Sequence, residues 1–455
     1  MRVLVNLTWL VPGTVGGSEE STTDALRALL EHEPSVEPTL AVLPSFAAAH
    51  PDLAEACPTL VLDNSGSLKA SRVLAEQTWL ARRTRELRPD VVHHAGGVMP
   101  LRHPGRTVLT IHDLQPLDLP ENFSLAKRTY LRTMIGRSAR AADVVAVPSH
   151  FTARRVSERL GVPAERIEVV PWSVVSLDRV RGGDPVDGDP EGESSGDGNP
   201  SDRDSGDGYP GDGDLGDDSP GGSPAAGSAP IFLYPAITYP HKNHLVLLEA
   251  FALYRRTQPD ARLVLAGGAA QCEAEVTQRI ERPDLAGSVE RPGRVPRPEM
   301  ERLYRSATAV LVPSRYEGFG LPALEAMSRG VPLVVASAGS LPEVVGATSQ
   351  SDATAEAAST PDSETAAPGS GAAATGSGAA APGSSAGGGG SVLPVAPIDP
   401  DDTAAWAAAM ETVAALGADE RRRIAAAERA VATGFTPRRT AVALALEIRL
   451  SFSLR

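Results

Sequence analysis

Short runs of Val, Ile and Leu recur along this chain, each followed by a longer stretch with helical spacing. Val3–Leu7, Thr39–Leu43, Val91–His93, Thr107–Ile111, Val144–Val147 and Ile167–Val170 form one series. Ile231–Tyr234, Arg262–Ala266, Ala309–Val312 and Leu333–Val335 form a second. Strands alternating with helices in this way indicate parallel sheets covered by helical layers. Helices are expected from about Ser18, over 68–87, over 124–140, from about Leu321 and over 436–450. The fold class is therefore α/β, with two Rossmann-like, doubly wound domains facing a cleft. Ligands of such sheets sit beyond the carboxyl ends of the strands.

Two stretches break the pattern. Residues 176–230 hold 14 acidic and 3 basic residues and almost no apolar ones, and 347–390 are rich in Ala, Gly and Ser. Neither offers enough apolar surface to offset the entropy of ordering, so both are expected to be disordered insertions. The Asp-Gly repeats of the first fail the calcium-loop spacing, since the twelfth position counted from Asp187 is Gly198. The domains then run 1–175 and, in two parts, 231–346 and 391–434, with 435–455 left as a last helix. The net charge of -14 belongs to the insertions, because the remaining chain carries about +1. That balance argues against nucleic acid as a partner. Two cysteines, Cys57 and Cys272, make no disulfide framework, and no run of eighteen apolar residues occurs, so a cytoplasmic protein is expected.

Four motifs fall at strand ends. Gly16-Gly17-Ser18-Glu19 opens a helix after the first strand, where glycines let the backbone approach an anion. The G-x-G-x-x-G fingerprint is absent, which disfavours a NAD-dependent oxidoreductase. His112-Asp113-Leu114 ends a strand, and a His there could orient a hydroxyl or move a proton. His93 and His94 end another strand but lack a third ligand for a metal. His241-Lys242-Asn243-His244 follows the strand at Ile231; Lys242 is one of three lysines in a chain with 40 arginines, which suggests a need for a compact point charge. Most specific is Glu317-Gly318-Phe319-Gly320-Leu321-Pro322-Ala323-Leu324-Glu325. Its glycine turn presents backbone N–H groups to an anion at a helix start, and its two acids can reach different parts of one ligand.

The Glu-x7-Glu string, followed by Gly330-Val331-Pro332 and Pro342-Glu343-Val344, closely resembles family-4 retaining glycosyltransferases of GT-B fold. The motif style is closest to mannosyltransferases of polysaccharide assembly. Gly16-Gly17, His112-Asp113, Val147-Pro148-Ser149 and His241-Lys242-Asn243 agree in order and spacing. The resemblance implies a C-terminal domain that binds a nucleotide diphosphate sugar, an N-terminal domain that binds a glycan or lipid-linked acceptor, and a last helix, 435–455, that crosses back to the N-terminal domain. It implies that Lys242, with His241 beside it, neutralises the diphosphate and that Phe319, Gly320 and Leu321, after Gly318, supply N–H groups. Glu317 would hold sugar hydroxyls, Glu325 the ribose, and Arg294-Val295 would lie beside the base. Gly16 and Gly17 would approach the diphosphate, and His112 the reacting carbon. His94 and Asp113 are acceptor-side candidates. No metal or other cofactor is implied.

Two departures stand out: Ala236 where many members carry Arg, and Trp172-Ser173 where a hinge glycine is usual. The expected function is transfer of a hexose, with mannose from GDP-mannose as first choice. A nucleotide-sugar epimerase, another hexosyltransferase and a non-catalytic sugar-nucleotide-binding regulator are the alternatives. The segment 124–140 carries five bases and no acid, which suggests peripheral docking to an anionic membrane.

Overall fold

A computed structural model describes residues 1–14, 16–64, 69–174, 229–347 and 393–453. The disorder expected over 176–230 and 347–390 falls almost wholly outside the described residues, as does Val15.

Each series of apolar runs folds into its own parallel sheet. The first comprises β1 (Arg2–Asn6), β2 (Glu37–Val42), β3 (Thr59–Val61), β4 (Val91–His94), β5 (Arg106–Thr110), β6 (Val144–Val147) and β7 (Ile167–Val169). Their spatial order is β3-β2-β1-β4-β5-β6-β7. The second comprises β8 (Ile231–Pro235), β9 (Arg262–Ala266), β10 (Val289–Gly293), β11 (Ala309–Val312) and β12 (Leu333–Val335), in the order β10-β9-β8-β11-β12. In both sheets the order reverses beside the first strand, which opens a crevice at the carboxyl ends.

The central strands are mostly apolar on both faces because helices cover both. Val3, Val5, Val91 and Val108 pack in the first domain, and Phe232, Leu263, Val310 and Leu333 in the second, all buried. Sequence patterning missed β3 and β10. Both are edge strands with partly exposed side chains; β10 reads Val-Glu-Arg-Pro-Gly with no apolar run, and β3 is only three residues long. The helix over 69–87 is not regular: residues Glu76–Leu80 form a π turn within it.

The last helix, Pro437–Ser453, leaves the second domain and inserts Leu444, Ala445 and Ile448 into the core of the first. Thr440 donates a hydrogen bond to the Pro171 carbonyl at 2.7 Å, and Arg449 pairs with Glu33 at 2.6 Å. Among the described residues no helix is long and apolar enough to cross a membrane.

Candidate functional site

The carboxyl ends of the two sheets face each other across a cleft of about 1360 Å³. On the C-terminal side, β8 leads into a short turn at Pro240–Lys242 and then the helix His244–Tyr254. Asn243 makes that junction with left-handed backbone (φ 61°), and its amide donates to the Pro313 and Pro400 carbonyls at 3.2 and 2.6 Å. Lys242 is thereby aimed into the cleft, where Nζ lies 2.6 Å from Glu317 Oε1. The two motifs that carry these residues are far apart in sequence and meet only here.

β11 ends at Val312, and the turn Glu317–Gly320 leads into the helix Leu321–Arg329. The N–H groups of Phe319, Gly320 and Leu321 have no acceptor among the described residues, and all three residues line the cleft. Gly318 is required by packing, because a Cβ there would collide with the His112 carbonyl of the other domain. The same close approach lets Ser149 and Thr152 donate to the Gly318 carbonyl at 2.7 and 3.1 Å.

Deeper along this helix, Glu325 accepts a hydrogen bond from the Tyr304 hydroxyl at 2.8 Å. The Arg329 guanidinium stacks on the Tyr304 ring at 4.5 Å and pairs with Glu301. Burial raises the Glu325 carboxyl above its usual range. Across the cleft, Glu20 is pushed to about 7, first by desolvation and second by the facing Glu325 charge. Glu20 was not among the expected site residues, since a second acid after Gly-Gly-Ser-Glu reads as an ordinary helix-start charge. Arg294 and Val295, in the turn after β10, complete this end, and the Arg294 guanidinium reaches the Gly13 loop.

From the N-terminal side come Gly16, Gly17, His112 and Asp113. Gly16 has φ 65°, and a Cβ on it would sit 3.0 Å from the Ile237 side chain opposite. His112 donates from Nε2 to the Ala95 carbonyl at 2.8 Å, which leaves Nδ1 as a lone-pair acceptor without a partner among the described residues. Burial lowers its pKa to about 4, so the ring is neutral near pH 7. Its ring lies between Trp9 at 5.6 Å and Trp172 at 5.4 Å, and Trp172 continues to Phe319 at 5.5 Å. The tryptophan that replaces the usual hinge glycine thus bridges the two domains.

Asp113 accepts from the Gln115 N–H at 3.0 Å, and burial raises its carboxyl. Gln115 in turn donates to His241 across the cleft at 3.1 Å, and burial lowers the His241 pKa. His94 does not line the cleft: it is 1% exposed and lies behind Asn6, whose amide reaches His94 Nδ1 at 3.3 Å. A strand-end residue one step out of phase points into the domain. Ala236 leaves no charge in the Arg position, and nearby Arg291 does not replace it. The Arg291 guanidinium is held by the Leu265, Gly267 and Gly268 carbonyls and by Glu273.

Sequence reasoning gave no role to Glu343 beyond its motif. Its carboxylate caps the helix His150–Leu160 of the other domain, accepting from the His150 and Phe151 N–H groups at 2.8 and 2.9 Å. Tyr316 likewise donates to Asp118 at 3.1 Å. These contacts hold the two domains closed on each other.

The arrangement offers a part-buried cation, unpaired amide donors and carboxylates along one wall, groups suited to an anion and to hydroxyls. Known proteins agree with that inventory. Residues 218–367 match the family described as Glycosyl transferases group 1, and residues 15–174 match Glycosyltransferase Family 4. An O-antigen chain mannosyltransferase B from Escherichia coli is 42% identical over 115 residues, 25% of this chain and 30% of that protein. A D-inositol 3-phosphate glycosyltransferase from Segniliparus rotundus is 36% identical over 109 residues, 23% of this chain and 24% of that protein. This chain therefore aligns with less than a third of the length of these curated relatives. In fold, sucrose-phosphate synthase from Thermosynechococcus elongatus superposes with a TM-score of 0.66 at 15% identity, covering 100% of both chains. Anabaena HepE, solved with UDP and glucose, gives 0.61 at 17% identity, covering 98% of each. Two separate family matches together take in most of the sequence and the fold is that of solved GT-B glycosyltransferases, so the chain is a glycosyltransferase with a Family 4 match in its first domain and a group 1 match in its second.

Proposed function

We propose that this protein moves a hexose from a nucleotide diphosphate sugar to a hydroxyl acceptor, with retention at the anomeric carbon and without a metal ion. The observation that carries the reading is the Lys242–Glu317 pair beside the free amides of Phe319, Gly320 and Leu321. In the reaction the bond from C1 to the phosphate oxygen breaks, and its electron pair leaves with the diphosphate. Lys242 and the amides stabilise that charge where it develops. The acceptor oxygen bonds to C1 on the same face, and its proton passes to the departing phosphate oxygen. Glu317 holds sugar hydroxyls, and neutral His112 accepts a hydrogen bond at Nδ1 near C1. Glu325 binds the ribose. A double displacement would need a carboxylate nucleophile beneath the sugar, and the family resemblance gives Glu317 hydroxyl binding, not attack.

Mannose from GDP-mannose is the preferred donor, supported by the His241-Lys242-Asn243-His244 form of the motif and by the similarity to the O-antigen mannosyltransferase. The pathway suggested is polysaccharide or glycolipid assembly in the cytoplasm, with a glycan or lipid-linked acceptor. Donor hydrolysis across UDP- and GDP-sugars tests the substrate, and product NMR tests the stereochemistry. An inverted anomeric centre, or activity abolished by EDTA, would refute the mechanism.

Peripheral docking to anionic lipid belongs to the same reading. It is supported by the helix Leu125–Ala141, in which Leu125 is 77% exposed beside exposed Lys127 and Arg132. Liposome flotation should recover the protein with anionic vesicles and not with neutral ones. Equal recovery with both, or none with either, would remove this part.

A further inference from the structure

Two buried hydroxyls of the N-terminal domain end on the glycine turn of the C-terminal one. Ser149 and Thr152 are both 0% exposed. Ser149 is the N-cap of the helix His150–Leu160, and its Oγ accepts from the Thr152 N–H at 3.1 Å. The oxygen is thus used by its own helix, and its single proton goes outward to the Gly318 carbonyl at 2.7 Å. The Thr152 hydroxyl donates to the same carbonyl at 3.1 Å, so both lone pairs of that oxygen are filled. Neither residue is among those that line the cleft.

The peptide held by this grip is the one that carries the Phe319 N–H. In a planar trans peptide the C=O and the N–H point in opposite directions. Fixing the Gly318 carbonyl toward the N-terminal domain therefore fixes the Phe319 N–H away from it, and that N–H has no acceptor among the described residues. The residue after the peptide is anchored: the Phe319 side chain, 2% exposed, packs on Trp172 at 5.5 Å and Phe435 at 5.6 Å. The residue before it is soft, because Gly318 has no Cβ to restrict rotation of its backbone. The preceding peptide is held differently. Its Glu317 carbonyl accepts from the Ser340 N–H and the Ser340 hydroxyl, each at 3.1 Å, and Ser340 belongs to the same domain. One peptide of the turn is thus fixed from within the C-terminal domain, and the next only across the domain boundary.

We propose that Ser149 and Thr152 are positioning residues for transfer: by gripping the Gly318 carbonyl they hold the Phe319 N–H toward the donor phosphate, so that this amide is set only when the two domains are closed. The inference rests on the proposed binding of a nucleotide diphosphate at the turn. Separation of the domains removes both hydroxyls at once, and the Gly318–Phe319 peptide is then free to rotate. A donor bound to the open protein meets one ordered amide fewer, so stabilisation of the leaving group waits for closure. Cleavage of the C1–phosphate bond is thereby disfavoured until water has been excluded.

The test uses the full chain, isotope-labelled at phenylalanine nitrogen, which gives eight amide signals by NMR. Phe319→Leu assigns the one at the turn. GDP, at concentrations that saturate each protein, should move the Phe319 signal downfield in the unaltered chain. The movement should be lost in Ser149→Ala/Thr152→Val. Thr152→Val alone leaves the helix cap in place, with the fold intact by thermal melting, and should reduce the movement. In turnover the double variant should lose kcat by about two orders of magnitude, as for loss of one oxyanion donor, with donor KM changed far less. Ser149→Thr and Thr152→Ser, which keep a hydroxyl, should retain both readouts. An unmoved Phe319 signal in the unaltered protein, an equal movement in the double variant, or a loss confined to KM would overturn the inference. If the Phe319 signal moves with GDP but no nucleotide sugar is turned over, glycosyl transfer fails while the orientation of this amide by Ser149 and Thr152 stands.

Discussion

The Lys242 ammonium lies 2.6 Å from the Glu317 carboxylate, with both side chains largely shielded at 18% and 10% exposure. Each is the partner that the other would surrender to a donor: the lysine to a diphosphate, the acid to sugar hydroxyls. Removing one member of a shielded pair strands the other charge, so the two residues are coupled in stability as well as in chemistry.

Lys242→Ala should lower turnover by about two to three orders of magnitude, comparable to loss of one oxyanion donor. It should also cost about 3 kcal/mol of stability by leaving Glu317 unpaired. The double variant Lys242→Ala/Glu317→Ala should regain much of that stability but none of the activity. Thermal melts of the four proteins in the cycle check this, and simple additivity would mean the pair is not coupled.

Glu325→Ala should act mainly on nucleotide binding, with a smaller change in kcat. Tyr304→Phe removes only the hydroxyl bonded to Glu325 and should weaken nucleotide binding less, by about tenfold at most. Calorimetric titration with GDP and UDP measures both. A variant that lost turnover at unchanged nucleotide affinity would place Glu325 at the reacting centre instead.

Gly318→Ala introduces a methyl group against the His112 carbonyl, where backbone cannot yield cheaply. Overpacking of this kind costs about 1–3 kcal/mol. Each domain should fold, but the closed arrangement should be disfavoured. Small-angle scattering should give a larger radius of gyration, and kcat/KM should fall by about tenfold or more.

Glu447, on the returning helix, is 2% exposed, and one of its carboxylate oxygens has no partner among the described residues. Burial first, and the Glu168 charge second, raise its pKa from 4.5 to about 8. The folded state therefore holds a proton that the unfolded chain has released, and stability falls as pH rises between those two values. Glu447→Gln should flatten that fall and raise the melting temperature most at alkaline pH. Parallel slopes for the two proteins would show that Glu447 does not carry the effect.

Much of this was legible in the sequence. The central strands stand where the apolar runs are, because a strand covered on both faces is built mostly from apolar residues. Gly16, Gly17, Lys242, Glu317 and Glu325 meet in the cleft because the carboxyl ends of parallel strands converge there, so a motif just after a strand is already placed. Of the edge strands, β10 is not legible because an edge tolerates mixed residues, and β3 because a strand of three residues carries too short a pattern. His94 was misjudged as cleft-lining because strand-end phase depends on where the strand stops.

What the sequence determined by itself is what local chemistry dictates: which runs must be buried, which glycine turns can approach an anion, and which family those turns belong to. Only the tertiary structure decided the pairing of Lys242 with Glu317, 75 residues apart, the Trp172 bridge from His112 to Phe319, and the Glu343 cap on a helix of the opposite domain. Those relationships depend on how two separately folded sheets sit across a cleft, and no spacing along one chain encodes a distance between surfaces that meet only after both have folded.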